Sequence, residues 1–420
     1  INQGRSLRQK HKIKIRQAVI LCGGLGTRLK NLTSKNPKPM INCLGKPFLY
    51  SIMEKLSSHG IKNFLLLTGY KSKKIENFFS NGKRWNWNIK YSVGNVSLDT
   101  GERLLKAQNQ ISDNFMLLYS DNWVPINFSN YLNFYEQNFP NFCLISSKKK
   151  PGNLKINNSQ ILKHSFQRKT SFNYVDIGFW AINKKKFFSN NKKKFTKTNE
   201  FLDHFVKRNM FRSYLTPNYQ SISDQSRLNK TRSFLKFKKI ILLDRDGIIN
   251  LKTKKGEYIK SWKDFKFIKK NILGLQILSK AGYKFIIISN QAGVGRKMLS
   301  KKKLFNIDIN MKKVLKKNGI NILESFYCLH HWNKNCECRK PQPGLFYKAS
   351  DKWNLNLDKT LYIGDDKRDC VASFNANCRS IFIGKKKDIK NLKKKYKPLY
   401  AAKNINNISN KILNYLSLTY

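Results

Sequence analysis

Apolar residues along this chain gather in short unbroken blocks separated by longer segments in which apolar and polar positions are mixed. Residues 18–21 (Ala-Val-Ile-Leu), 64–67 (Phe-Leu-Leu-Leu), 240–243 (Ile-Ile-Leu-Leu) and 285–288 (Phe-Ile-Ile-Ile) read as strands buried in parallel sheets. Helix-length amphipathic segments at 47–59, 271–280 and 299–316 alternate with such blocks, which predicts an α/β chain of parallel sheets with crossover helices. A length of 420 residues exceeds one ordinary core and predicts two domains. The polar, basic stretch 229–238 is the predicted linker, giving domains at 17–228 and 239–390. A Lys- and Asn-rich tail, 391–420, carries one amphipathic stretch near 408–418. No internal repeat is found, because the halves open on different glycine patterns.

Charge changes this picture little. The formal net charge of +59 raises the question of a nucleic-acid or anionic-membrane partner. The lysines are spread along the whole chain with many Asn, and no aromatic-basic motif of a nucleic-acid module occurs, so no nucleic-acid partner is expected. A basic surface still draws in phosphorylated small-molecule substrates. No apolar stretch approaches the roughly 20 residues of a membrane span, and the apolar run after the basic start is too short for a signal peptide; the expectation is a cytoplasmic protein without a membrane partner. Of the eight cysteines, three cluster with His330 and five stand singly, a metal pattern with reduced core thiols.

Directly after block 18–21 the chain reads Cys22-Gly23-Gly24-Leu25-Gly26-Thr27-Arg28-Leu29, followed by Asn36-Pro37-Lys38-Pro39-Met40. Glycines after a strand let backbone N–H groups approach a triphosphate, and Arg28 can neutralise developing charge. A glycine turn alone is equally a structural turn; with Thr27-Arg28 and Pro-Lys-Pro the combination is specific. On these residues 17–228 resembles the sugar-phosphate nucleotidyltransferases. The likeness continues through Phe48-Leu49, Thr68-Gly69-Tyr70, Asp99-Thr100-Gly101, Leu118-Tyr119-Ser120-Asp121-Asn122 and Asp176-Ile177-Gly178-Phe179. It implies that Gly23, Gly24, Gly26, Thr27 and Arg28 hold the nucleotide and that Lys38 binds the sugar phosphate. It also implies that Asp121 holds Mg²⁺ on the NTP, with Gly101 by the base or sugar and Gly178 among the substrate-binding residues. Attack of a sugar phosphate on the α-phosphorus needs positioning and charge stabilisation, not a covalent nucleophile. One departure matters: where the family has a second metal-binding Asp, this chain has Ser221 in Ser221-Ile222-Ser223-Asp224. One-ended coordination, help from Asp224 and impaired activity all remain open.

In the second half, strand 240–243 runs into Asp244-Arg245-Asp246-Gly247, strand 285–288 into Ser289-Asn290-Gln291, and strand 360–363 into Gly364-Asp365-Asp366; Arg339-Lys340-Pro341 lies between the last two. A lone Asp-x-Asp is commonly a surface turn. This ordered set resembles the haloacid dehalogenase phosphatases. The resemblance implies that Asp244 attacks phosphorus and Asp246 protonates the leaving oxygen and then activates water. Ser289 and Lys340 would hold the phosphoryl group, and Asp244, the Asp246 carbonyl and Asp365 would bind Mg²⁺, with Asp366 and Asp369 orienting the site. Asn290, Arg296 and Arg339 are further candidate substrate contacts. Cys328, His330, Cys336 and Cys338 offer three thiolates and an imidazole, a donor set suited to a structural Zn²⁺ with no open position. His331 is left as a substrate or surface residue.

The zinc loop, Ser289-Asn290-Gln291-Ala292-Gly293-Val294-Gly295-Arg296 and the Pro-Gln-Pro-Gly after Lys340 make 239–385 similar to the heptose 1,7-bisphosphate 7-phosphatases. The short His330 to Cys336 spacing is similar to the related histidinol-phosphate phosphatases. The first half resembles heptose-1-phosphate guanylyltransferases at 45–49 and 68–70. Two Rossmann-like domains acting in sequence are therefore expected, with a GDP-heptose for a surface polysaccharide as product. The rival readings are a hexose-1-phosphate nucleotidyltransferase fused to a histidinol-phosphate or general sugar phosphatase, and a basic RNA-binding or regulatory protein on decayed enzyme domains.

Overall fold

The computed structural model describes residues 14–29, 31–189, 195–254 and 256–419. The chain forms two compact units that meet in sequence between Arg232 and Ser233. In the first unit, β1 (Gln17–Leu21), β2 (Asn63–Thr68), β3 (Asn88–Val93), β4 (Asn114–Tyr119), β5 (Phe142–Lys148), β6 (Gly152–Asn157), β7 (Gln160–Lys169), β8 (Tyr174–Asn183) and β9 (Phe211–Thr216) build one sheet. Its order is β3-β2-β1-β4-β8-β5-β9-β7-β6. The first four strands are parallel, as expected. Beyond them the sheet is mixed: β8 is antiparallel to β4 and β5, and β7 to β6 and β9. For β6 and β7 the expectation of parallel pairing fails for a local reason. Only Asn158 and Ser159, both at positive φ, join β6 to β7, and a two-residue connection closes an antiparallel hairpin, whereas parallel neighbours need a long crossover.

Helices α1 (Phe48–Ser58), α2 (Thr100–Lys106), α3 (Thr198–Lys207) and α4 (Gln225–Leu235) belong to the same half of the chain. Val19 and Leu21 of β1, Leu65 and Leu67 of β2 and Phe115 and Leu117 of β4 share a core with Phe201, Leu202 and Phe205 of α3. The stretch expected as linker, 229–238, is mostly the end of α4. Leu228, Thr231, Phe234 and Leu235 are buried at helical spacing, a stripe that the polar and basic residues between them had masked.

The second unit holds β10 (Ile240–Leu243), β11 (Lys284–Asn290), β12 (Ile322–Cys328), β13 (Leu361–Gly364), β14 (Arg379–Ile383) and β15 (Tyr400–Ala402). They form an all-parallel sheet in the order β12-β11-β10-β13-β14-β15. Strand residues alternate between two cores. Ile241, Leu243, Phe285 and Ile287 pack with α5 (Lys269–Lys280) and α6 (Lys301–Lys317), while Leu242, Ile286, Ile288 and Tyr362 pack with α7 (Gly344–Trp353) and α8 (Lys367–Asn375). In the stretch expected as a tail, residues 391–419 supply β15 and α9 (Ser409–Thr419), and Ile405, Ile408, Ile412 and Leu416 join the core of Ile241. Buried Asn271 ties them in, accepting from Ile405 N at 2.9 Å and donating to Ile248 O at 2.9 Å. Ile412→Ala is therefore expected to destabilise this unit by about 2–5 kcal/mol, the cost of a core cavity. Chemical denaturation checks it, and an unchanged midpoint would make α9 an appendage. Among the described residues no helix is long and apolar enough to cross a membrane.

Candidate active sites

In the second unit the strand order reverses between β10 and β13, and sheets of this kind bind ligands beyond the strand C-termini at that point. Asp244 follows β10 and Asp365 follows β13, while Ser289 and Asn290 end β11. Asp244 Oδ2 lies 2.7 Å from Lys340 Nζ, and the same ammonium lies 2.7 Å from Asp369 Oδ1 and 2.7 Å from the Tyr362 hydroxyl. Lys340 is 3% exposed. Burial works against its charge, but the carboxylates of Asp244 and Asp369 outweigh that and raise its pKa, so it stays an ammonium.

The Asp246 carboxylate accepts from Arg245 Nη2 at 2.9 Å, Asn250 Nδ2 at 2.9 Å and Gln291 Nε2 at 2.7 Å. Burial alone would raise its pKa; the Arg245 charge and these hydrogen bonds hold it below the usual carboxylate range. Asp365 differs: burial and the nearby Asp244 push it up to about 7, against the pull of Lys252. Its Oδ2 lies 2.5 Å from Lys252 Nζ, and its buried Oδ1 has no hydrogen-bond partner. Gly247, at φ +84°, makes room for it, since a Cβ there would lie 2.0 Å from Asp365 Oδ2. Donor atoms of Asp244, Asp365 and Asp369 lie within 4.8 Å of one another, and the orphaned Asp365 oxygen fits a cation among them.

A cavity of about 520 Å³ opens over these groups, with Asp244, Asp246, Ser289 and Lys340 in its lining and Lys252, Lys254, Arg339, Arg368, Tyr258 and Trp332 among its walls. Asn290 holds the Lys340 backbone at both ends, donating to Lys340 O at 3.2 Å and accepting from Lys340 N at 3.0 Å. Arg296, expected to contact phosphate, does not line the cavity. Its guanidinium stacks 3.9 Å from the Trp332 ring centroid and donates to Gly256 O at 3.0 Å, bracing the wall. Asp366 caps α8 and pairs with Arg368, and Asp369 accepts from the N–H groups of Asp365 and Asp366, so both orient the loop. Sequence reasoning gave no role to Arg245, Gln291, Lys252 or Tyr362. Arg245 and Gln291 stand within the quoted motifs and were legible as neighbours; Lys252 and Tyr362 gave no signal.

Cys328, at the end of β12, lies with Cys336 and Cys338 at Sγ–Sγ distances of 3.4 to 3.8 Å, and His330 Nδ1 lies 3.1 Å from Cys338 Sγ. The four donors form a group that can hold a metal ion; His331 is outside it.

In the first unit the strand order reverses between β1 and β4, and the two sequence signatures meet there. Gly23 and Gly24 follow β1, Asp121 follows β4, and Lys38 Nζ lies 2.5 Å from Asp121 Oδ2. Gly26, at φ +69°, packs on Lys38, and Thr27 and Arg28 are exposed. Ser221 sits opposite Asn122 in a short antiparallel pair and so falls beside Asp121. Asp224 is occupied as a helix cap, accepting from Arg227 N at 2.9 Å, and that bond leads the causes that lower its pKa. Among the described residues no group of three or more metal-donor side chains includes Asp121 or Asp224. Gly101 and Gly178 are explained by packing, the first against the backbone of Phe195 and Thr196 and the second against the Tyr119 ring.

The fold and these two constellations define an enzyme that joins a nucleotidyltransferase domain to a haloacid dehalogenase-like phosphatase domain. Residues 17–153 match the family model described as Nucleotidyl transferase, and residues 239–407 the one described as Polynucleotide kinase 3 phosphatase. The D-glycero-alpha-D-manno-heptose-1,7-bisphosphate 7-phosphatase of Photorhabdus laumondii is 34% identical over 154 residues, 35% of this chain and 82% of the relative. The D-glycero-beta-D-manno-heptose-1,7-bisphosphate 7-phosphatase of Helicobacter pylori is 34% identical over 143 residues, 34% of this chain and 80% of the relative. Through its second unit the chain belongs to the family of D-glycero-D-manno-heptose-1,7-bisphosphate 7-phosphatases. The solved structure of HddC from Yersinia pseudotuberculosis is also similar to this chain, with 23% identity over 53% of this chain and 100% of that one, at a TM-score of 0.46.

Proposed function

We propose that the second unit removes the 7-phosphate of D-glycero-D-manno-heptose 1,7-bisphosphate and that the first transfers a guanylyl group from GTP to the resulting heptose 1-phosphate. The observation that carries this reading is the Asp244–Lys340 pair, 2.7 Å apart, under a cavity walled by Lys252, Lys254, Arg339 and Arg368. Cationic walls suit a sugar that keeps a second phosphate while the first is removed. Asp244 attacks phosphorus, the P–O bond to the sugar breaks, and an aspartyl-phosphate forms; Lys340 and Ser289 steady the transferring oxygens. Asp246, taking up a proton from solvent as the anionic phosphate enters beside it, gives that proton to the leaving sugar oxygen and later takes one from the water that attacks the aspartyl-phosphate. Arg245, Asn250 and Gln291 hold it as the base needed for the second step. Mg²⁺, held by Asp244, Asp365 and the Asp246 carbonyl, would neutralise charge on the phosphoryl group.

Zn²⁺ suits the Cys/His group, because Zn–S bonds of about 2.3 Å in a tetrahedron separate the sulfurs by about 3.8 Å, against the 3.4 to 3.8 Å spacing in this loop. Gly247→Ala should crowd Asp365 and weaken divalent-ion binding about 10- to 100-fold, as supporting-shell changes do. Calorimetric Mn²⁺ titration reads this directly, and equal affinity would remove Asp365 from the ion site. In the first unit, Lys38→Ala should lower transferase turnover about 10²- to 10³-fold, the scale of losing one preorganised charge-stabilising donor, with phosphate release unchanged. A normal transfer rate would refute the assignment of Lys38.

The decisive assay incubates the protein with heptose 1,7-bisphosphate and each NTP in turn, following phosphate, pyrophosphate and nucleotide sugar. Phosphate released from histidinol phosphate but not from the heptose would overturn the substrate.

A further inference from the structure

The glycine loop of the first unit is braced from behind by a side chain outside both of its signatures. Arg103, on α2, is 5% exposed. Its guanidinium donates to Thr68 O at 2.7 Å, Asn95 O at 2.7 Å, Val96 O at 3.4 Å and Gly23 O at 3.5 Å, so all four bonds go to backbone carbonyls of three separate segments. Three glycines make the hole it fills. A Cβ on Gly23 would lie 2.4 Å from Arg103 Cζ, one on Gly69 2.8 Å from Nη1, and one on Gly94 3.0 Å from Nη1. A Cβ on Gly24 would meet nothing within 4 Å. Of the first two glycines, then, Gly23 lacks a side chain to admit Arg103, and Gly24 alone leaves open space for a ligand.

In a trans peptide the carbonyl and the following N–H point in opposite directions. Gly23 O faces Arg103 and also accepts from Tyr70 N at 3.3 Å. The Gly24 N–H is therefore turned to the opposite side of that peptide. A backbone N–H stabilises an anion only when it is fixed in that direction beforehand.

We infer that Arg103 is a positioning residue for nucleotide binding, holding the Gly23–Gly24 peptide with its N–H toward the phosphates and tying that loop to the 94–96 segment. The inference rests on the nucleotidyltransferase reading of this unit. Arg103→Ala frees the carbonyls and lets the loop turn, so the KM for the NTP rises about 10- to 100-fold, the cost of a small misplacement, while the KM for the sugar phosphate holds. Guanidinium chloride, added well below denaturing concentration, restores part of the loss by refilling the hole.

The test is steady-state nucleotidyl transfer by the full chain with Mg²⁺ and each NTP, for Arg103→Ala, Gly23→Ala and the double variant. Gly23→Ala forces the guanidinium aside and raises the same KM, and the double variant is no worse than Arg103→Ala alone, because both changes act through one contact. An unchanged KM in Arg103→Ala overturns the inference, and so do additive effects in the double variant, which would mean that Gly23 meets the ligand directly. If Arg103→Ala does not fold, judged by its thermal melt, the same cycle is run with Arg103→Lys, which cannot span the carbonyls and gives the same pattern in smaller measure. Wild-type protein that transfers no nucleotide from any NTP removes the underlying reading, a result distinct from a wild type that transfers and a variant that matches it.

Discussion

Asp244→Asn is expected to abolish phosphate release, by at least about 10³-fold, the scale on which enzymes lose activity with their nucleophile. An amide cannot form the aspartyl-phosphate, and it also removes the negative partner of Lys340, 2.7 Å away. The buried ammonium keeps Asp369 at 2.7 Å and the Tyr362 hydroxyl, so the variant should fold and the loss should be chemical. Transfer of a nucleotidyl group to supplied heptose 1-phosphate should be unaffected, since Lys38 and Asp121 belong to the other compact unit. Phosphate release and nucleotide-sugar formation measured on one preparation check both halves, and loss of both activities would sink the two-site model.

Loss of the metal clip proposed at Cys328, His330, Cys336 and Cys338 should also lower activity, although none of these side chains is placed at the phosphoryl group. Cys328 ends β12, and Cys338 lies two residues before Lys340, so an ion shared by them fastens the 336–340 segment to the sheet. Small structural zinc sites bind with apparent energies of about 10–16 kcal/mol, whereas Mg²⁺ keeps several waters and exchanges readily. Brief EDTA treatment followed by excess Mg²⁺ should therefore restore phosphatase activity with zinc still bound. Cys336→Ser should shed zinc and release the loop carrying Arg339 and Lys340, lowering phosphatase activity by about 10- to 100-fold if it acts as supporting-shell changes do. Elemental analysis alongside activity gives the answer. Reduced, active protein without near-stoichiometric zinc would show that these four side chains serve some other purpose.

Much of both sites could be read from the chain because their chemistry sits in contiguous segments at strand ends. Asp244-x-Asp246-Gly247, Ser289-Asn290 and Gly364-Asp365 each follow a block of apolar residues, and a parallel sheet brings strand C-termini to one edge whatever the loops do. The Cys/His group was legible for the same reason, since all four donors lie between 328 and 338. The amphipathic stretch near 408–418 was legible and forms α9, but its docking on the core of the second unit was not, and within 229–238 Lys and Asn masked the helical stripe that runs from Leu228 to Leu235.

Contacts between distant segments belonged to tertiary structure. Arg103 lies 80 residues from the glycine loop it braces, Gln291 is 45 from Asp246, and Ile405 is 134 from the Asn271 that anchors it. No local spacing encodes such pairs, because each depends on which strands become neighbours and how closely their backbones approach. By itself the sequence determined two α/β units, the order of their catalytic motifs and a metal-donor set. Packing alone decided that Gly23 makes room for an arginine, that Arg245, Asn250 and Gln291 clamp the Asp246 carboxylate, and that Ile405 to Leu416 complete a core, since burial rewards groups for meeting in space rather than along the chain.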